Sequence, residues 1–262
     1  GSEMCIRDRY CAGQNNTGRN NHNIGIYAGQ NITSGVANNY IGAAAGQFNK
    51  TGSNNIGIGS VSIQYDSSGS DNIAIGTAAL QYAKNAAENT AIGTYSMQYH
   101  RTNPWNAAFG KFALQQDTSG TSNAAFGTSA LRYNLDGSNN TAIGTNALLS
   151  HVHGDLNTAI GYQAMENDSV GTLNVAAGWR ALRNNKSGAE NTAIGVGALE
   201  NDSSGSFNTA IGRFGGFGIK SGDLNVNAGY QSGSKGDTAS YTTLLGTYSG
   251  FFNRADFSTA VG

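Results

Sequence analysis

The residues best placed to do chemistry are two histidines and a carboxylate set close together: His151, His153 and Asp155. Two imidazoles and a carboxylate form a donor set for a transition metal. The surrounding stretch is polar, however, nothing similar recurs nearby, and His100 lies far upstream. The cluster therefore reads as a solvated turn, and no metal is expected. Asp66, Asp71, Asp117, Asp136, Asp168 and Asp202 read as scattered. They lack the dense repeating aspartates that calcium-binding β-rolls require. No carboxylate pair stands out at a fixed spacing, and no Ser-His-Asp or Cys-His set is discernible. The chain accordingly reads as a non-enzyme with no catalytic residues and no cofactor. Gly57-Ile-Gly59 and Gly195-Val-Gly197 lack the strand-to-helix context of a phosphate loop. Cys5 and Cys11 offer neither a disulfide framework nor metal spacing.

Two ladders are more suggestive. Gln30, Gln47, Gln64, Gln81, Gln98 and Gln115 follow one another at intervals of 17. Beside them run Phe48, Tyr65, Tyr82 and Tyr99, with Tyr133 later. Aromatic faces pack on sugar rings and amides satisfy hydroxyls, so Tyr65, Tyr82, Tyr99, Gln64, Gln81 and Gln98 are candidate glycan contacts. The competing and favoured reading is that stacked rings and amide ladders only stabilise neighbouring coils.

The interval of 17 governs the whole chain. Gly recurs at 25, 42, 59 and onward to 246, fourteen hits in fourteen positions without an insertion. Asn stands four residues earlier in thirteen of them, and Thr242 takes the fourteenth place. Counting columns from this Asn as zero, column three is Ile, Phe, Leu or Ala throughout, and column two is mostly Ala. Column seven is Ala, Ser or Gly. Column eight is Ile, Leu or Met in the middle of the chain and Gly at both ends, and column fourteen is mostly Gly. A register this strict marks a folded array of repeats.

Composition agrees with that. Of 262 residues, 38 are Gly, 32 are Asn and 1 is Pro, and only 12% are charged. A net charge of -1 argues against nucleic acid or an anionic membrane as partner. Seventeen residues cannot hold a helical hairpin, and apolar pieces this short suit strands. Repeats too small to fold alone share a core when stacked. The expected fold is therefore an all-β parallel β-solenoid (β-roll) with 17-residue coils, one repeat domain over residues 10–262.

The columns then take structural roles. Asn123, Asn140, Asn157, Asn174, Asn191 and Asn208 belong to an amide ladder running from coil to coil. Gly127, Gly144, Gly161, Gly178, Gly195 and Gly212 belong to a row of corners where φ is positive or the backbone crowded. Adjacent residues of a strand face opposite sides. Yet columns two and three are both apolar, as in Ala142-Ile143 and Ala193-Ile194. A strand apolar on both faces is usually covered on both. Columns three and eight are taken as core, so that Leu131→Asp and Ile143→Asp alike would break it. The Ala column is taken as the face buried against a second chain.

The motif Asn-Thr-Ala-Ile-Gly-x-x-Ala-Leu, as at Asn140 and Asn191, resembles the repeat arrays of phage tail-fibre proteins and is similar to the heads of trimeric autotransporter adhesins. The resemblance spans residues 21 to 262. It implies a parallel homotrimer on a virion or cell surface, a structural and adhesive shaft that supports host attachment through a glycan or receptor. The adhesin head is the alternative owner, and no membrane insertion is expected in this segment. An ice-binding solenoid is a third reading, weakened because the Thr column is broken by Ile73, Ala107, Ala124 and Val175. Residues 1–9 look like a translated sequencing adapter, which makes them a non-native leader. The last repeat is one residue short, so the chain reads as a fragment truncated at both ends.

Overall fold

The structure, a computed structural model, describes residues 10–235, 238–251 and 256–262. The proposed leader at residues 1–9, Cys5 included, lies outside the described residues. The chain divides into two compact units, Gly1–Asp136 and Gly137–Gly262. Both are all-β stacks of parallel strands, and no helix occurs among the described residues. The first unit carries seven three-residue strands from His22–Ile24 to Ala124–Phe126, and the second eight from Thr141–Ile143 to Thr259–Val261. Each strand pairs with its equivalent one coil on, Ile58 with Ile75 and Ile143 with Ile160. The fold is thus a parallel β-solenoid with 17 residues per coil. The final step is 16, with Thr243 beside Thr259.

Most of a coil is not strand. Along columns four to eleven the backbone N–H groups take turns. Gly42 and Ala44 donate to the preceding coil (Ile24 O, 2.7 Å; Ile26 O, 2.8 Å), while Gly46 and Phe48 donate to the following one (Ser62 O and Gln64 O, both 2.9 Å). Between them Ala45, Gln47 and Asn49 close turns on their own chain three residues back. This zigzag needs left-handed residues at columns six and eight, for instance Tyr95 (φ 60°) and Met97 (φ 46°). A side chain there costs roughly 1–2 kcal/mol, which the inter-coil hydrogen bonds offset. The second apolar piece of the repeat is therefore a run of tight turns and not a second strand.

The two glycine columns have different causes. At column four φ is near 130°, as at Gly144 (133°), a region that only glycine occupies freely. A Cβ there would also meet the next coil, 2.5 Å from Gly161 O. At column fourteen most glycines have ordinary φ, and crowding is what disfavours a side chain: a Cβ on Gly52 would press into Gly69 O, though Ala86, Asn103 and Ala239 hold the same column.

The core corrects the reading of columns two and three. The Ala column points inward: Ala74, Ala91, Ala108, Ala142, Ala159 and Ala193 are all fully buried within one chain. Column three points outward, with Ile143 at 42% and Ile194 at 43% exposure. The inversion has a steric cause. Column eight supplies the bulk of a thin core through Leu80, Met97, Leu114, Leu148 and Leu199. Only a small residue fits opposite it. In four of the five coils where column eight is Gly, column two grows: Asn23 with Gly29, Tyr40 with Gly46, Asn227 with Gly233, Leu244 with Gly250. In the fifth, Ala210 stays small and the space beside Gly216 is taken by Leu199 and Ile219. The space a side chain on Gly46 would take is filled by the Tyr40 ring, 2.5 Å from the Cβ position. Volume is thus exchanged between the two columns.

Tyr40→Ala should cost about 3–5 kcal/mol, and adding Gly46→Leu should recover a large part of it, since column eight elsewhere accepts Leu at the same left-handed φ. Chemical denaturation of the single and double variants reads this directly, and no recovery would refute the volume exchange. Leu131→Asp should unfold its unit by placing an unpaired charge in the core. Ile143→Asp should cost the fold of the single chain no more than about 1 kcal/mol, read as an unchanged circular dichroism spectrum of the monomeric variant, and loss of the β signal there would return column three to the interior.

Candidate functional site

The buried polar columns come first because they fix everything else. In the first unit Asn38 Oδ1 accepts the backbone N–H of Asn55 at 2.9 Å, while Asn38 Nδ2 donates to Asn21 Oδ1 at 3.0 Å and to Gly52 O at 2.8 Å. Asn123 N donates to Asn106 Oδ1 at 2.9 Å. In the second unit the same ladder runs from Asn140 through Asn157, Asn174, Asn191 and Asn208 to Asn225. Thr242 replaces Asn by donating both N–H and Oγ1 to Asn225 Oδ1. These amides hold coils together and face no solvent.

A second buried column was not recognised in the sequence. Column eleven holds Asp66, His100, Asp117, Asn134, His151, Asp168, Asn185 and Asp202, all fully buried. Four of the six aspartates read as scattered therefore share one column, which corrects that reading. The signal was available as Asp or Asn followed three residues later by Gly. Asp117 Oδ1 accepts Gly120 N at 2.8 Å, Asp168 Oδ1 accepts Gly171 N at 2.7 Å, and Asp202 Oδ1 accepts Gly205 N at 2.7 Å. Each closes the turn at the crowded glycine. His100 bridges Asn103 O through Nε2 (2.6 Å) and Asp117 Oδ2 through Nδ1 (3.2 Å).

The same arrangement separates the members of the His-x-His cluster. His151 is buried and contacts Gly154 O at 2.9 Å, whereas His153 is exposed, and Asp155 Oδ1 accepts Ser138 N at 2.7 Å. The three do not converge. Among the described residues no group of three His, Cys, Asp or Glu is placed to hold a metal.

The surface ladders differ between the units. In the first, Gln47, Gln64, Gln81, Gln98 and Gln115 each donate Nε2 to the Oε1 of the preceding coil at 3.0–3.1 Å. Gln64, Gln98 and Gln115 are nearly buried, so their amides have little left for a ligand. Phe48, Tyr65, Tyr82 and Tyr99 stack with centroids 5.2–5.3 Å apart and planes within 10° of parallel. Stacking covers the ring faces and presents edges and hydroxyls instead. A groove of about 390 Å³ runs past them, lined by Tyr65, Tyr82, Tyr99, Lys84 and Arg101. In the second unit the same columns hold an ion pair, Arg183 Nε to Glu166 Oε2 at 2.7 Å, and an Asn ladder, Asn167 Nδ2 to Asn184 Oδ1 at 2.9 Å. A larger cleft of about 450 Å³ near Phe214, Phe217 and Phe251 also lies there, with the Lys235 ammonium 4.9 Å from the Phe251 ring.

The strand's outward face is the other candidate. Columns one, three and five carry Thr, Ile, Phe, Val, Tyr and Trp. Their only cationic side chains are Lys111 and Arg213, and none is acidic. No protein-family model, curated protein or solved structure matches the chain.

Burial makes the column-eleven carboxyls sensitive to pH. Removal from water raises Asp168 from 3.8 to about 7, against the opposing hydrogen bonds of Gly171, Asn185 and Val170. Asp202 rises to about 6 for the same reason. A folded-state value above the unfolded one means stability is full below about pH 4 and is lost as pH climbs through 6 to 7. The second unit should therefore melt higher at pH 5 than at pH 8. Asp168→Asn keeps the acceptor for Gly171 N and removes the charge, as Asn185 does in the next coil. It should stabilise the protein by about 2–4 kcal/mol at pH 8 and change little at pH 4. Thermal melts across that range check both, and a parent chain that gains stability with rising pH would contradict them.

Proposed function

We propose that this chain is a shaft segment of an extracellular or virion fibre, structural and adhesive in role and without enzymatic activity, which assembles as a parallel homotrimer. The supporting observation is the outward strand face. Ile41, Ile58 and Phe126 in the first unit, and Ile143, Ile160, Ile194 and Ile211 in the second, are 36–47% exposed in the single chain. Thr and small residues flank them, and acidic side chains are absent from the face. Contiguous apolar surface of this kind marks an interaction site. Its apolar rows repeat with the coil spacing, and a surface of the same periodicity is what another copy of the chain presents. In-register pairing matches each column-three residue, Ile in most coils, to its own copy and needs no charge complementarity. The Asn-Thr-Ala-Ile-Gly resemblance to tail-fibre and adhesin arrays points the same way. No helix among the described residues is long and apolar enough to cross a membrane.

The interface assignment follows the corrected geometry, with column three in place of the Ala column. Light scattering on the purified chain at micromolar concentration should give three times the 27.0 kDa chain mass. Replacing Ile143, Ile160 and Ile194 together by Glu should give a folded monomer, judged by an unchanged circular dichroism spectrum. A parent chain that stays monomeric, or a triple variant that keeps the trimer mass, would overturn the assembly.

A further inference from the structure

The groove beside the tyrosine stack has properties that the fibre reading does not use. Tyr65, Tyr82 and Tyr99 keep about 40% of their surface, and no protein hydrogen bond engages their hydroxyls among the described residues. Two residues after Tyr82 and Tyr99 stand Lys84 and Arg101, both exposed, with buried Ala83 and His100 between. Ring and cation lie on the same side of the chain, since all four side chains line the one groove. Lys50 occupies the same column as Lys84 two coils earlier. Neither Lys84 nor Arg101 is in an ion pair among the described residues. On these coils columns nine, ten, twelve and thirteen contain no acid, and the exposed acids Asp71 and Glu88 stand in column sixteen. The nearby carboxyls, Asp66 and Asp117, point inward and are engaged by Gly69 N and Gly120 N. The groove is thus a row of hydroxyl donors edged by uncompensated positive charge.

We propose that this groove binds an extended acidic oligosaccharide, one carrying carboxylate or sulfate groups along its length. Three features select that class. The hydroxyls repeat with the ring spacing of 5.3 Å, which suits a ligand that is itself a repeating chain lying along the stack. Lys84 and Arg101 supply charge-assisted hydrogen bonds to anionic oxygens. The ring faces are already covered by one another, which denies a single-stranded nucleic acid the base stacking that such proteins rely on. The glutamines beside the groove pair among themselves, so recognition falls to the tyrosine hydroxyls and the cations.

The test is calorimetric titration of the full chain with four hexamers: a polyuronate, a sulfated saccharide, a neutral glucan and a single-stranded oligonucleotide. One of the two acidic sugars should bind at least tenfold more tightly than the neutral glucan and the oligonucleotide, with affinity falling as salt is added. Which of the two binds better identifies the anionic group. Lys84→Gln with Arg101→Gln should weaken that binding at least tenfold without changing the melting temperature. Tyr82→Phe, which keeps the stack and removes one hydroxyl, should weaken it severalfold. The proposal fails if neutral glucan or oligonucleotide binds as tightly as the acidic sugars. It also fails if none binds at millimolar concentration, or if the double variant binds unchanged. The fibre reading is judged by mass and this site by affinity, so either fails without the other.

Discussion

The constraint on which the molecule depends is the fixed step from one coil to the next. Backbone hydrogen bonds hold each residue against its equivalent 17 residues away, so every side chain must be compatible with its own column. The column-four glycines enforce that step. With φ near 130° and the next coil's carbonyl in the place of a Cβ, they bring the backbones together more closely than any side chain permits. Polar columns then have one good solution, which is to bond along the stack, as Asn does at column zero and Gln at column nine. Charge has a narrower one. In column eleven no two aspartates occupy adjacent coils: Ala83 and His100 separate Asp66 from Asp117, and Asn185 separates Asp168 from Asp202. Stacked like charges would repel without solvent to screen them.

The same step explains how a thin core is filled. In most coils the interior receives one large side chain from column eight or column two, and beside Ala210 and Gly216 it is filled by Leu199 and Ile219 instead. Both cannot be large, and the exchange between Tyr40 with Gly46 and Ala74 with Leu80 is the consequence. Neighbouring coils can switch solution because the backbone is the same in both. Leu80 and Gly46 adopt nearly the same φ, 52° and 57°. Left-handed geometry at column eight is therefore imposed by inter-coil hydrogen bonding, and the residue type follows from what column two leaves free.

The solenoid, its 17-residue coil and its parallel register were legible in the sequence, because a glycine required by backbone geometry leaves an unbroken period. The direction of the strand was not. A strand of three residues shows Ala and Ile side by side, and alternation cannot say which is inside. The larger residue was taken as core, whereas the structure gives that place to the smaller one because Leu of column eight already fills it. The deciding signal lay in the exchange of column two against column eight, which is visible only when both are read together. Column eleven was hidden for a related reason. Asp, Asn, His and Ala look unrelated by type, yet Asp and Asn there make the same turn to the residue three positions on. The tyrosine ladder was visible, but the sequence could not show that stacking hides the ring faces a sugar would need.

What the surface can do follows from where the coil leaves side chains free. In the first unit the strand side is apolar and nearly uncharged, at columns one, three and five. The turns at columns ten and twelve are aromatic and cationic. These columns are separated along each coil by the buried residues of columns seven, eight and eleven, so covering one side does not consume the other. A chain that packs against its own copies through Ile41, Ile58 and Phe126 would still present Tyr82, Lys84, Tyr99 and Arg101. The second unit keeps the apolar strand side and replaces the tyrosines with Asn167, Asn184 and Asn201, whose amides are spent on one another or on backbone. Conservation of one face across both units, beside loss of the other in one of them, separates their demands. An assembly of the kind proposed would have to be satisfied at every coil, because each step of the stack would meet its partner. Ligand binding needs only the few coils where hydroxyls and cations coincide.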